Sequence, residues 1–142
     1  MTAAIDHVEL FVPDRRQTAE WYRRVLGLDV VPEFEHWAED PRGPLMIGSA
    51  AGTKLALFEG EPPGKRGTIG FRRVAFRLQG ADFLDFLARL EALGLAGGAG
   101  PLRPSDAVDH GAAFSLYFRD PWGHPLEVTV YEELERVREA CR

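Results

Sequence analysis

The first half of this 142-residue chain is echoed in its second half. Moved along by 66 positions, IDHVELFV, around His7, lies on FRRVAFRL, around Arg73. Both segments alternate apolar and polar residues, the pattern of a half-buried strand, and both lead into a run with helical spacing. Each helical run closes on a Gly-Leu pair, Gly27-Leu28 in one half and Gly94-Leu95 in the other. A repeated strand–helix unit constrains the chain to two halves of like architecture, with a cleft expected between them. Departures from the repeat then point to function. The first of them is an arginine standing where its counterpart is a histidine.

Composition removes several function classes. A length of 142 residues suits one domain with a sizeable core. The net charge of −5, with acids and bases well mixed, argues against a nucleic-acid partner, whose phosphates call for a basic surface. It tolerates a cationic ligand. Cys141 is the only cysteine, which excludes an internal disulfide and a thiolate metal cluster. No apolar run approaches a membrane span, and no basic segment followed by an apolar one opens the chain. The expected location is therefore the cytoplasm, with no membrane partner.

Residues 5–12 read as a strand with Val8, Leu10 and Val12 on one face and His7, Glu9 and Phe11 on the other. Asp14 can cap the helix that follows, with Gln17 in the capping-box position. Thr18, Tyr22, Val25 and Leu26 share a face of that helix, which Gly27 ends. A short strand is expected at 28–31, a loop with three prolines and the pair His36-Trp37 at 32–44, and strands at 45–49 and 54–59. The Gly- and Pro-rich stretch at 60–70 reads as a linker. The second half repeats the plan. It has a strand at 71–78, a helix at 81–93 burying Phe83, Phe86, Leu87, Leu90 and Leu93, and strands at 113–119 and 125–131. Residues 94–112 are expected to hold at most one short strand, and a last helix follows within 132–142.

The layout is strand, helix and three strands, given twice. This is an α+β fold of two βαβββ modules, residues 1–60 and 71–131, forming a curved mixed sheet around a cleft. The faces opposite the helices carry His7, Glu9, Phe11, Phe58, Arg73, Arg77, Ser115, Tyr117, Glu127 and Thr129. Aromatic rings with a few placed polar groups suit the lining of a concave ligand site better than a solvent face.

On the segments IDHVELFVPD leading into WYRRVLGL, LALFE, RRVAFRL and YFRDPWGHPLEVTVY, the chain resembles the vicinal oxygen chelate superfamily. This group takes in glyoxalase I, extradiol dioxygenases, fosfomycin-resistance transferases, methylmalonyl-CoA epimerase and bleomycin-resistance proteins. The resemblance covers nearly the whole chain and is specific for fold more than for reaction. It implies a homodimer, since such proteins often complete their cavities by pairing modules from two chains. In metal-dependent members the ligands come from the first and last strand of each module. By that resemblance His7 matches the first ligand position and Glu127 the last. Arg73 stands at a position that is usually His. Aligning GTKLA, ending at Ala56, with GHPLE, ending at Glu127, sets Ala56 at the fourth position.

Only two of the four positions thus keep a ligand. Three protein ligands are the usual minimum for a catalytic divalent metal. Arginine stays protonated and cannot ligate, and its charge repels a divalent ion at close range. Glu59 is a candidate third ligand, although strand alternation turns it away from the face of Ala56 and Phe58 unless a bulge reverses it. Arg73 can instead replace the metal electrostatically, pairing with Glu127 while offering donors to a ligand oxyanion.

Each residue also has a plainer role. His7 can be a hydrogen-bonded structural histidine, and Glu127 the partner of Arg73 in a structural ion pair. Tyr117 resembles an acid/base tyrosine of extradiol dioxygenases, or simply packs the cavity. His110, in DHG before a strand, is a second acid/base candidate or a loop residue at a turn. His36 and Trp37 belong to a lid or to an uninvolved surface loop.

Two functions follow as expectations. One is a small-molecule-binding cavity protein with a degenerate metal site, its ligand contacts drawn from Arg73, Phe11, Phe58, Ser115, Tyr117 and Trp37. The other is a metal-dependent lyase or dioxygenase using Ni, Zn, Mn or Fe held by His7, Glu127 and Glu59, with Tyr117 or His110 as acid/base group.

Overall fold

The alternating segment around His7 forms strand β1 (Val8–Val12), followed by helix α1 (Arg15–Leu26). Asp14 begins that helix: its carboxylate accepts from the Gln17 backbone N–H at 2.8 Å. Such a cap satisfies one of the donors that a helix N-terminus leaves open. Gly27 ends the helix with φ 67°, a left-handed conformation open to glycine at little cost. These features come from a computed structural model that describes residues 1–2, 4–61 and 71–142.

The chain divides into two compact units, Met1–Lys65 and Arg66–Arg142. In the first, α1 is followed by β2 (Asp29–Val30), β3 (Leu45–Gly48) and β4 (Lys54–Glu59). The sheet order is β1-β4-β3-β2, with β1 parallel to β4 and the other pairs antiparallel. The helix buries Thr18, Ala19, Trp21, Tyr22 and Val25. Against them the sheet contributes Val12, Leu45, Ile47, Leu55 and Leu57, all nearly inaccessible. Each such side chain adds about 1.5–3 kcal/mol on leaving water.

The second unit repeats this topology. It runs β5 (Val74–Arg77), α2 (Gly80–Leu93), β6 (Ala96–Gly97), β7 (Gly100–Pro101), β8 (Val108–Asp109), β9 (Phe114–Arg119), β10 (Pro125–Val130) and α3 (Leu134–Ala140). The main sheet has the order β5-β10-β9-β8, again with the first pair parallel, while β6 and β7 pair separately. Phe83, Phe86, Leu87, Leu90 and Leu93 of α2 are buried, as their spacing predicts, together with Leu116, Leu126, Val128 and Val130 of the sheet. The fold is α+β, and its strands form two open four-stranded mixed sheets, one in each unit.

Three expectations need correction. Residues 32–44 are not all loop: Pro32–Glu39 is a 3-10 helix, which Pro32 can open because its missing N–H is not needed there. Residues 94–112 hold three two-residue strands and a 3-10 turn at Pro104–Asp106, more order than their glycines and prolines suggest. The strands β1 and β5 begin at Val8 and Val74, later than the alternation begins, because β4 and β10 offer partners only from Leu55 and Leu126 onward. Of the linker expected at 60–70, residues 62–70 lie outside the described residues. Among the described residues no helix is long and apolar enough to cross a membrane.

Candidate functional site

Strand register puts the internal repeat on a structural footing. In the first unit Glu9 lies beside Ala56, and Ala56 beside Met46. In the second, Ala75 lies beside Glu127, and Glu127 beside Tyr117. The two rows correspond: Glu9 to Ala75, Ala56 to Glu127 and Met46 to Tyr117. His7 and Arg73 each stand two residues before the first member of their row. The carboxylate is on the first strand in one module and on the last strand in the other.

The face of the first module holds a cavity of about 230 Å³. Its lining includes Asp6, His7 and Glu9 from the β1 side, Met46 from β3, and Lys54, Ala56 and Phe58 from β4. Phe34 and Trp37 of the 3-10 helix close one wall, their rings stacked 4.5 Å apart at 18°. The Lys54 ammonium lies 5.9 Å from the centre of the Phe34 ring. Both imidazole nitrogens of His7 face carboxylates, Nδ1 at 2.7 Å from Asp6 and Nε2 at 3.4 Å from Glu9. Chiefly through the Asp6 hydrogen bond, the imidazole is held above its ordinary pKa. Asp6 is in turn held below the usual aspartate value by its bonds to Lys54, at 2.8 Å, and to His7.

The face of the second module is built around Arg73. Its guanidinium carbon lies 4.2 Å from the centre of the Tyr117 ring, a cation–π contact. Nη1 is 4.0 Å from Oε2 of Glu127, an ion pair beyond hydrogen-bonding distance. The two side chains are 28% and 18% exposed, so the pair is partly screened and partly desolvated. Arg73 Nε is buried and, among the described residues, has no hydrogen-bond partner. The Tyr117 hydroxyl meets His110 Nε2 at 3.0 Å, which makes a phenol–imidazole pair beside the guanidinium.

The residues singled out from the sequence therefore fall into groups. His7, Phe58 and Trp37 line the first module's cavity. Arg73, Glu127, Tyr117 and His110 meet on the second module's face. Glu59 does neither. Its carboxylate accepts from the Arg15 backbone N–H at 3.2 Å and pairs with the Arg15 guanidinium, on the helix side of β4. Ser115 is buried, its hydroxyl donating to Thr129 at 3.2 Å. Phe11 is 39% exposed and packs near Phe58, with ring centres 6.4 Å apart, outside the cavity lining. Among the described residues no group of three or more His, Cys, Asp or Glu side chains is arranged to hold a metal ion.

Sequence reasoning passed over Asp6, Phe34, Met46 and Lys54 as cavity residues. Met46 and Lys54 were within reach, since both share strand parity with Ala56 once β3 and β4 are paired. Phe34 carried no such signal, because a 3-10 helix presents side chains on neither strand nor α-helical period.

Comparisons with known proteins identify the family. A model of the Glyoxalase/Bleomycin resistance protein/Dioxygenase superfamily matches residues 4–128. The chain is 29% identical over 131 residues to Virulence protein STM3117 of Salmonella typhimurium, covering 89% of this chain and 83% of the relative. It is 27% identical over 135 residues to Biphenyl-2,3-diol 1,2-dioxygenase 3 of Rhodococcus globerulus, covering 92% of this chain but only 64% of that protein. Among solved structures, Oxidase ChaP-H2 aligns with a TM-score of 0.64 and 26% identity, over 92% of this chain and 94% of the other. The repeated βαβββ topology and the match across nearly the whole length lead to one conclusion: this chain belongs to the glyoxalase/bleomycin resistance protein/dioxygenase superfamily.

Proposed function

We propose that this chain binds a small organic molecule, and that the Arg73 guanidinium holds a ligand oxygen where metal-dependent relatives use a metal. The observation that carries this reading is the state of Arg73. It stands at the position equivalent to His7, stacked on Tyr117, with a buried Nε that has no partner among the described residues. An unpaired buried donor costs about 1–3 kcal/mol, and a ligand oxyanion relieves that cost. Glu127, 4.0 Å from Arg73, is free to accept from a neighbouring hydroxyl. The ligand that suits the pair has two adjacent oxygens, one accepting and one donating.

The donor set does not fit a divalent metal. Ala56 has no donor atom, Arg73 cannot lose its proton, and Glu59 is engaged by Arg15. Among the described residues no three His, Cys, Asp or Glu side chains are grouped to supply the three protein ligands usual at catalytic centres.

Titration calorimetry with mandelate and salicylate tests the reading, with benzyl alcohol and benzylamine as neutral and cationic controls. The hydroxy acids should bind the wild type, and Arg73→Met should weaken them about tenfold or more, the worth of one charge-assisted hydrogen bond. Equal affinity in both proteins, or a preference for benzylamine, would contradict it. One observation favours a second reading, an enzyme that moves a proton, as a lyase does. The phenol of Tyr117 and the imidazole of His110, 3.0 Å apart, can together accept and release a ligand proton. Under either reading the working form is a homodimer, as the family resemblance implies. Light scattering should return twice the chain mass, and a monomer would refute that form.

A further inference from the structure

Arg15 is a cation in the first turn of α1, where the helix dipole disfavours positive charge. Its side chain is nonetheless only 12% exposed. The guanidinium leaves its own helix and reaches the end of the 3-10 helix. Nη1 donates to Gly43 O at 2.6 Å and Asp40 O at 3.2 Å, and Nη2 donates to Ala38 O at 3.2 Å. The three carbonyls lie at the end of the 3-10 helix and in the turn beyond it, where Asp40 O also accepts from Gly43 N–H, and the rigid fork of a guanidinium suits several acceptors at once. Glu59 balances the charge from β4, with Oε1 3.4 Å from Arg15 Nε. A second tie joins Arg16 to Glu35 at 3.0 Å.

Gly43 adds an independent constraint. A Cβ built there would lie 2.1 Å from the Trp37 carbonyl oxygen and 3.3 Å from the Asp40 carbonyl oxygen. Only glycine lets the chain return this closely over the helix that carries Phe34 and Trp37. Gly43 O is also the acceptor of the shortest Arg15 bond. The two features converge on the turn that directly follows Trp37, at one end of the cavity's aromatic wall.

We infer that Arg15 is the positioning residue of the first module's cavity, holding the stacked Phe34–Trp37 pair so that the cavity accepts a flat ring. The inference takes up the small-molecule reading above for the first module's cavity, where it names the class of ligand group without resting on Arg73. A volume of about 230 Å³ is below the ~300–1,000 Å³ of sites for drug-sized ligands, so the fit is to a single ring. Trp37 remains 42% exposed, leaving indole surface for such a ring to cover, and Met46 and Phe58 supply further apolar lining. The polar groups His7, Glu9 and Lys54 border the same space and would orient ring substituents.

The test uses the full chain labelled with 5-fluorotryptophan, which gives three fluorine signals, from Trp21, Trp37 and Trp122. Loss of one signal in Trp37→Phe assigns it. In ligand-free Arg15→Met and Gly43→Ala the Trp37 signal should shift and broaden while those of Trp21 and Trp122 stay in place, with Arg15→Lys partly restoring it. Phenol and indole, titrated by the same signal, should bind the wild type and lose about tenfold in affinity in Arg15→Met. A Trp37 signal unmoved in Arg15→Met would overturn the positioning role. Unchanged phenol affinity despite a moved signal would overturn its part in ring selection. A wild type that binds neither probe would sink the ring-binding reading of this cavity, while the ligand-free spectra would still judge Arg15. The unmoved Trp21 and Trp122 signals separate a local effect from unfolding.

Discussion

The exchange of histidine for arginine at equivalent positions gives the two modules different chemistry. His7 sits between two carboxylates, Asp6 and Glu9, and its imidazole is held above its ordinary pKa mainly by the Asp6 hydrogen bond. A raised histidine pKa means that the folded protein binds the proton more tightly than the unfolded chain. The stabilisation from the pair is thus fully present below about pH 6.5, the ordinary histidine value, and is lost as pH rises through the folded value. Asp6→Asn should bring the His7 pKa down towards its ordinary value in an NMR titration; an unchanged titration would show that the Asp6 contact is not made in solution. Arg73 instead has one carboxylate near it, that of Glu127 at 4.0 Å, and lies over the Tyr117 ring. Its position was legible from the repeat alone, as was that of Glu127 on β10, because the alternation of the sequence runs one residue past the start of β5 to Arg73. The stacking of Arg73 on Tyr117 was not legible, since a cation–π contact depends on side-chain torsions that no spacing reports.

Among the elements, those with strong local signals formed where the sequence puts them. Asp14 and Gly27 bracket α1, and the buried positions of α2 follow its periodicity. Asp14→Ala should cost about 1 kcal/mol, seen as a lowered midpoint in thermal or denaturant unfolding, because it removes the carboxylate that accepts from Gln17 N–H. Unchanged stability would mean that the cap is not formed. A larger loss is expected for Leu116→Ala, about 2–5 kcal/mol, since Leu116 is fully buried at the centre of β9. Denaturant unfolding with a loss below 1 kcal/mol would place that side chain outside a packed core. The 3-10 helix at Pro32–Glu39 lies where the sequence predicts a loop, because its support is not local. Arg15, more than twenty positions away in the sequence, donates to the carbonyls of Ala38 and Asp40 at its end. Glu59 illustrates the same limit with the opposite outcome: alternation along β4 already turned it from the cavity, and the structure adds Arg15 as the reason it is held there.

At the scale of the molecule, one topology is used twice with different polar equipment. The first module sets a histidine in a cavity walled on one side by two stacked rings. The second pairs an arginine with a carboxylate, a phenol and an imidazole. Family membership follows from the topology and from the match over residues 4–128, whereas ligand chemistry follows from the positions that depart from the repeat. Those departures, Ala56 and Arg73, are the basis of the central claim that a guanidinium has taken the place of a metal. The most direct test is elemental analysis of protein purified without chelator or affinity tag, repeated after soaking in Ni, Zn, Mn and Fe(II). Metal should stay far below one equivalent under every condition, unaltered by His7→Ala or Glu127→Ala. Near-stoichiometric metal that both substitutions abolish would contradict it and return the chain to the metal-dependent members of its family.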